Sequence, residues 1–120
     1  MNHGLTTDQF KAAASMGEVV ELLDKRDLKV PPDPNLSRKW FVERANKILY
    51  SIGEVNPGDY FLATGQQLLV MALNAAARRA DAQIVESITE RISQEVHQPD
   101  GSVKKIQVFK FLGFREFYKF

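Results

Sequence analysis

Cysteine is absent from the 120-residue chain. That excludes disulfide staples, thiol catalysis and thiolate metal sites, and it fits a reducing compartment. Histidine is scarce: His3 and His97 are the only two, and neither stands beside a nucleophile or a second ligand at useful spacing. The sequence holds no Walker loop, dinucleotide fingerprint, HExxH or GxSxG, so the chemistry those patterns support is not indicated. Long apolar runs are missing too. None approaches the roughly 20 residues that cross a bilayer. The opening Met1-Asn2-His3-Gly4-Leu5 lacks the basic-then-apolar order of a secretory signal. The expected location is therefore cytoplasmic (host cytoplasm or virion, if phage-encoded), with no membrane partner.

What is present is an ordinary globular composition, 44% hydrophobic and 26% charged, which fits a single domain over residues 1–120. The aromatic residues are unevenly placed. Half of the twelve fall in the last twelve positions: Phe109, Phe111, Phe114, Phe117, Tyr118 and Phe120. Lys104, Lys105, Lys110, Arg115 and Lys119 are threaded among them against the single Glu116, so residues 103–120 carry +4 while the rest carries −3. A segment this apolar is costly to leave in water, and it must be covered by its own core or by a neighbour.

Local signals divide the chain. Thr6-Thr7-Asp8-Gln9 is a capping box with Leu5 and Phe10 at the staple positions. A second box at Ser15-Met16-Gly17-Glu18 opens a short apolar helix ending near Arg26, so residues 1–28 read as a helical hairpin. Residues 29–33, with Pro31 and Pro32, form a stiff linker. Asp33 can cap a helix over about 34–52 with Pro34 at its first position. Leu36, Trp40, Phe41, Ala45, Ile48, Leu49 and Ile52 form its apolar stripe, and Gly53 ends it.

Asn56-Pro57-Gly58-Asp59 is a turn. Thr64-Gly65-Gln66-Gln67 is a third capping box, after which Leu69, Leu73, Ala76, Ala80, Ile84, Ile88 and Ile92 recur at three- and four-residue steps. This predicts a continuous helix over about 65–95, some 46 Å long at 1.5 Å per residue. The alternative is a break near Arg79-Ala80-Asp81, where Asp81 would recap. Pro99-Asp100-Gly101-Ser102 is the turn of a hairpin with strands at about 94–98 and 103–112. Phe109 and Phe111 fall on one face of the second strand, and Ile106, Val108 and Leu112 on the other. A strand apolar on both faces is expected to be central or covered. The fold class predicted is α+β, mostly α, with four to five helices, one of them long. Residues 34–96 hold the main helices and 97–120 the hairpin and aromatic tail.

No residue pattern carries catalysis. The carboxylate pairs Glu18/Glu21 and Glu86/Glu90 read as solvated faces, because nothing near them in sequence would raise one pKa. Ala13 and Gly17 have the spacing of a helix-turn-helix, but its second helix would present Glu18, Glu21 and Asp24 to phosphate, the wrong sign. The expected function is a non-enzymatic structural, assembly or adaptor subunit of a larger particle, for example a phage virion or its head–tail connector. Its partner-binding residues would be Phe109, Phe111, Phe114, Phe117, Tyr118, Phe120, Lys110 and Arg115. Partners would be other protein subunits, of the same or another kind, in an oligomer. No cofactor and no metal are expected. Two alternatives use the same tail: a small nucleic-acid-binding regulator, in which rings stack on bases while lysines follow phosphates, or a phage inhibitor docked on a host enzyme.

Overall fold

The first capping box forms as read. In the computed structural model, which describes residues 5–22 and 25–120, the Thr6 hydroxyl accepts from the Gln9 amide at 3.3 Å. The Gln9 side chain accepts from the Thr6 amide at 3.0 Å. Helix α1, Thr7–Ala14, follows and stops before Gly17, whose φ of +152° suits glycine. The second capping box opens no helix. Residues 18–22 are irregular, and the Glu21 carboxylate accepts from the Leu5 amide at 3.1 Å. Val19 and Val20 are poor helix formers, and so short a helix cannot sustain itself. A single 3-10 turn, Lys25–Leu28, stands where its end was expected. His3, Leu23 and Asp24 lie outside the described residues.

Helix α2 is Arg38–Ile52, capped by Ser37, whose hydroxyl accepts from the Trp40 amide at 3.2 Å. Asp33 caps a local turn instead, accepting from the Asn35 amide at 2.9 Å, so the helix starts four residues later than read. Helix α3 is Gln67–Arg79, capped by the Gln66 side chain and not by Thr64. It does not continue to residue 95. Asp81 takes a φ of +61°, a conformation that stops a helix, and the chain turns into a strand.

That strand, β2, is Gln83–His97, and β3 is Val103–Glu116. A two-residue strand β1, Tyr60–Phe61, precedes α3. The expectation of four to five helices in a mostly α fold is therefore corrected: the described residues form three α-helices and a three-stranded mixed sheet. The error has a specific cause. Ile84, Ile88 and Ile92 are four apart, and four is both about one helical turn and an even number, so a strand also keeps them on one face. The β-branched Val85 and Thr89 between them favour the strand. Both hairpin strands also run beyond the predicted limits.

Sheet order is β1-β2-β3. β1 pairs in parallel with the start of β2, Tyr60 opposite Gln83 and Phe61 opposite Ile84, so β1, α3 and β2 make a βαβ unit. β2 and β3 are antiparallel along thirteen pairs, from Val85 opposite Glu116 to His97 opposite Val103.

Two buried clusters hold this together. Leu69 and Leu73 of α3 meet Phe41, Ala45 and Ile48 of α2, with Leu22, Leu28, Val30 and Leu36 of the irregular N-terminal part packed around them. One turn along α3, Ala77 meets Ala82 and Ile84, flanked by Val55 and Phe61. Asp27 ties the 3-10 turn to α2: its carboxylate accepts from Lys47 Nζ at 3.1 Å, and its backbone carbonyl accepts from Arg44 Nη1 at 3.1 Å. At the far end the hairpin turns as predicted. The Gln98 amide donates to the Ser102 carbonyl at 2.8 Å, and Gly101 takes a φ of +87°. The Asp100 carboxylate accepts from the Ser102 hydroxyl at 2.6 Å and from its amide at 2.9 Å, and these bonds hold its pKa below the usual aspartate value.

Two outcomes follow from this packing. Ile84 is 4% exposed, so Ile84→Ala should lower unfolding free energy by about 2–5 kcal/mol in urea titrations. The Asp100 carboxyl is depressed only in the formed turn, so its support is present above the ordinary aspartate pKa and lost as pH falls through the lowered value. Chemical shifts of Ser102 and Gly101, followed by NMR down to that range, should move toward unfolded values in the wild type and stay flat in Asp100→Ala.

Candidate docking arm

Among the described residues, only the base of the hairpin rests on the remainder of the fold. On one face Ile84 packs beneath α3. On the other, α1 approaches, and Gln9 Nε2 donates to Ser87 Oγ at 2.8 Å. Beyond these contacts β2 and β3 run on as a two-stranded arm. The chain accordingly measures 57 × 38 × 30 Å with a radius of gyration of 17.7 Å, against roughly 13–14 Å for a compact domain of this length. Among the described residues, β2 has a partner on its outer side only at Gln83 and Ile84, and β3 has none on its outer side. Two strand edges are thus open to pairing. β3, expected to be central or covered, is an edge strand.

Register places the side chains. One face carries Thr89/Phe111, Arg91/Phe109, Ser93/Gln107 and Glu95/Lys105 as opposite pairs. The other carries Glu90/Lys110, Ile92/Val108, Gln94/Ile106 and Val96/Lys104. The regular ladder breaks between Ile88 and Thr89, which face Gly113 and Phe111, leaving Leu112 as an extra residue. Phe111 and Phe114, three apart, would point to opposite faces of a regular strand; across this bulge their rings meet edge-on at 5.2 Å between centroids.

The sequence-predicted binding residues separate into groups. Phe111 and Phe114 are half-buried near the base. Phe109 is 61% exposed, with the Arg91 guanidinium over its ring at 5.2 Å, and Leu112 is 54% exposed. The Phe117 amide extends the pairing by donating to the Ile84 carbonyl at 2.8 Å, and its carbonyl accepts from Arg78 Nη2 at 2.8 Å. Its ring stays 40% exposed, and the rings of Tyr118 and Phe120, 6.4 Å apart, lie in the open. The tail therefore touches its own fold through backbone while its last rings remain outside both core clusters. Lys110 and Arg115 belong to the arm: Arg115 is paired with Glu86 at 3.3 Å, and Lys110 sits opposite Glu90. Ile92, Val108 and Ile106, which make the second apolar face, were absent from the predicted set. Their alternation in β3 was visible, but the reading of β2 as helix removed their partners.

Other candidates find plain positions. Glu86 and Glu90 lie on a strand, not a helix, and His97 is exposed at the end of β2. The segment tested as a DNA-reading helix is not helical over residues 18–22. Among the described residues no group of three His, Asp or Glu is placed to hold a metal ion, and no helix is long and apolar enough to cross a membrane.

Comparison with curated proteins and with solved structures yields no match. A family model does match, over residues 1–115, and its description is "Uncharacterized protein MJ1673 family". With nearly its whole length aligned to that model, the chain belongs to the MJ1673 family.

Proposed function

We propose that the chain is a non-catalytic assembly subunit that associates with further copies of itself through the β2–β3 arm. The observation that carries this reading is the arm's combination of uncovered apolar side chains with charges matched rung by rung. Glu86 faces Arg115, Glu90 faces Lys110 and Glu95 faces Lys105. The +4 read from residues 103–120 alone is largely met by acids of β2, which lowers the attraction of the arm for phosphate and for strongly charged partners. What remains to drive contact is apolar surface and open backbone, which a second copy offers in kind.

Size fits the same reading. The uncovered rungs from Thr89 to His97 present a two-stranded face of roughly 300 Å², so face-to-face contact of two copies supplies about 600 Å² of the ~1,000 Å² that a specific contact requires, and pairing along the open edges supplies the remainder. Nothing in the family match points to a virion, and the proposal does not extend to one.

Light scattering over a concentration series tests it. The wild type should show multiples of the 13.6 kDa chain mass, rising with concentration. Phe109→Asp combined with Leu112→Asp, both exposed, should stay monomeric with an unchanged circular dichroism spectrum. A wild-type chain that remains a monomer throughout, or a double variant that associates as well as the parent, overturns the reading.

A further inference from the structure

The C-terminal end of α3 holds a second feature, independent of the arm. A groove of about 300 Å³ is lined by Ala75, Arg78, Arg79 and Lys119. Three of these four residues are cations, and no carboxylate contributes to the lining. They come from two segments some forty positions apart, joined by the tail as it leaves β3. The joining bonds are the Phe117 amide to the Ile84 carbonyl and Arg78 Nη2 to the Phe117 carbonyl.

Part of this has a structural explanation. Arg78 and Arg79 complement the negative end of the α3 dipole. Lys119 has no such reason to be there, because the tail brings it toward two like charges. None of the three makes an ion pair among the described residues. This contrasts with the arm, whose lysines and arginine mostly face acids. The positive charge of this groove is therefore not offset by an acid among its lining residues. Arg78 is also partly spent on a backbone carbonyl that fixes its position.

We infer that the groove between the end of α3 and the C-terminal tail binds a phosphoryl group, with Arg79 and Lys119 as its principal donors and Arg78 holding the tail in place. Guanidinium and ammonium groups converging without a carboxylate suit a tetrahedral, multiply charged oxyanion. The same chemistry is offered by a free phosphorylated small molecule and by a nucleic-acid backbone.

The experiment separates those sources. Inorganic pyrophosphate is titrated into the full chain by calorimetry, and a fluorescent single-stranded oligothymidylate is followed by anisotropy, both at low and moderate salt. Binding of pyrophosphate identifies a small phosphorylated ligand, and binding of the oligonucleotide alone identifies a backbone. In either case Arg79→Gln with Lys119→Gln should weaken affinity at least about tenfold and reduce the salt slope by about one per cation removed. Lys104→Gln with Lys105→Gln, at the arm tip, should leave both unchanged. The inference is overturned if neither probe binds at low salt, or if the arm variant loses as much affinity as the groove variant. Self-association by light scattering is measured on the same variants, and it should be unaffected by the groove substitutions, so failure of this site and failure of the arm reading are told apart.

Discussion

Everything in the fold depends on one helix burying two stripes at once. Leu69 and Leu73 of α3 close the cluster with α2, and Ala77, a turn further along, closes the cluster with Ile84. The small side chain at position 77 is what lets helix and strand approach, since it is wholly buried with no room taken by further carbons. The parallel pairing of β1 with β2 follows from that approach. It puts Phe61 beside Ile84 and starts β2 in the direction that the whole arm then keeps. A two-residue strand contributes little by itself; it serves as the fixed point for a fifteen-residue one.

The arm inverts the usual economy of a small domain. Most chains of this size spend their aromatic residues on a core. Here the described core is assembled largely from leucine, isoleucine and alanine, with Phe41 its one buried ring. Phe109, Phe117, Tyr118 and Phe120 stay outside. Matching charges across the rungs keeps such a surface compatible with water, and the lysines of β3 and glutamates of β2 blunt the exposed edges in the manner of natural edge strands. The groove at the end of α3 is the counterpart of that arrangement, because three cations meet there with no acid among the lining residues.

Legibility in the sequence followed the locality of the signal. Thr6 with Gln9, the turn Pro99–Ser102 and the ending of α2 at Gly53 were all readable, because each is decided by residues within a few positions of one another. The second half of the supposed long helix was not, since a four-residue apolar step satisfies helix and strand equally and only the contact with Ala77 and β1 decides between them. Strand β1 was missed for a related reason: Tyr60–Phe61 is too short to show alternation and exists through its partner. The aromatic segment was found from composition alone, but its division into half-buried rings at the base and open rings on the arm and in the tail required the register. The groove was out of reach, because nothing local links Lys119 to Arg79.

The extra residue at Leu112 sets the phase of everything that comes after it. Upstream of it, odd-numbered positions of β3 share a side with Phe111; downstream, the parity is exchanged, and Phe114 joins Phe111 in spite of the odd interval between them. A chain lacking Leu112 would regain an unbroken ladder and keep the same sides, with Phe111 still opposite Thr89 and Phe114 still opposite Ser87. Regular pairing with Leu112 retained would instead carry Phe114 to the side away from Phe111, and the tail would reach α3 with the opposite side turned inward. The bulge at Leu112 is thus what lets a strand one residue longer than its partner keep Phe114 beside Phe111.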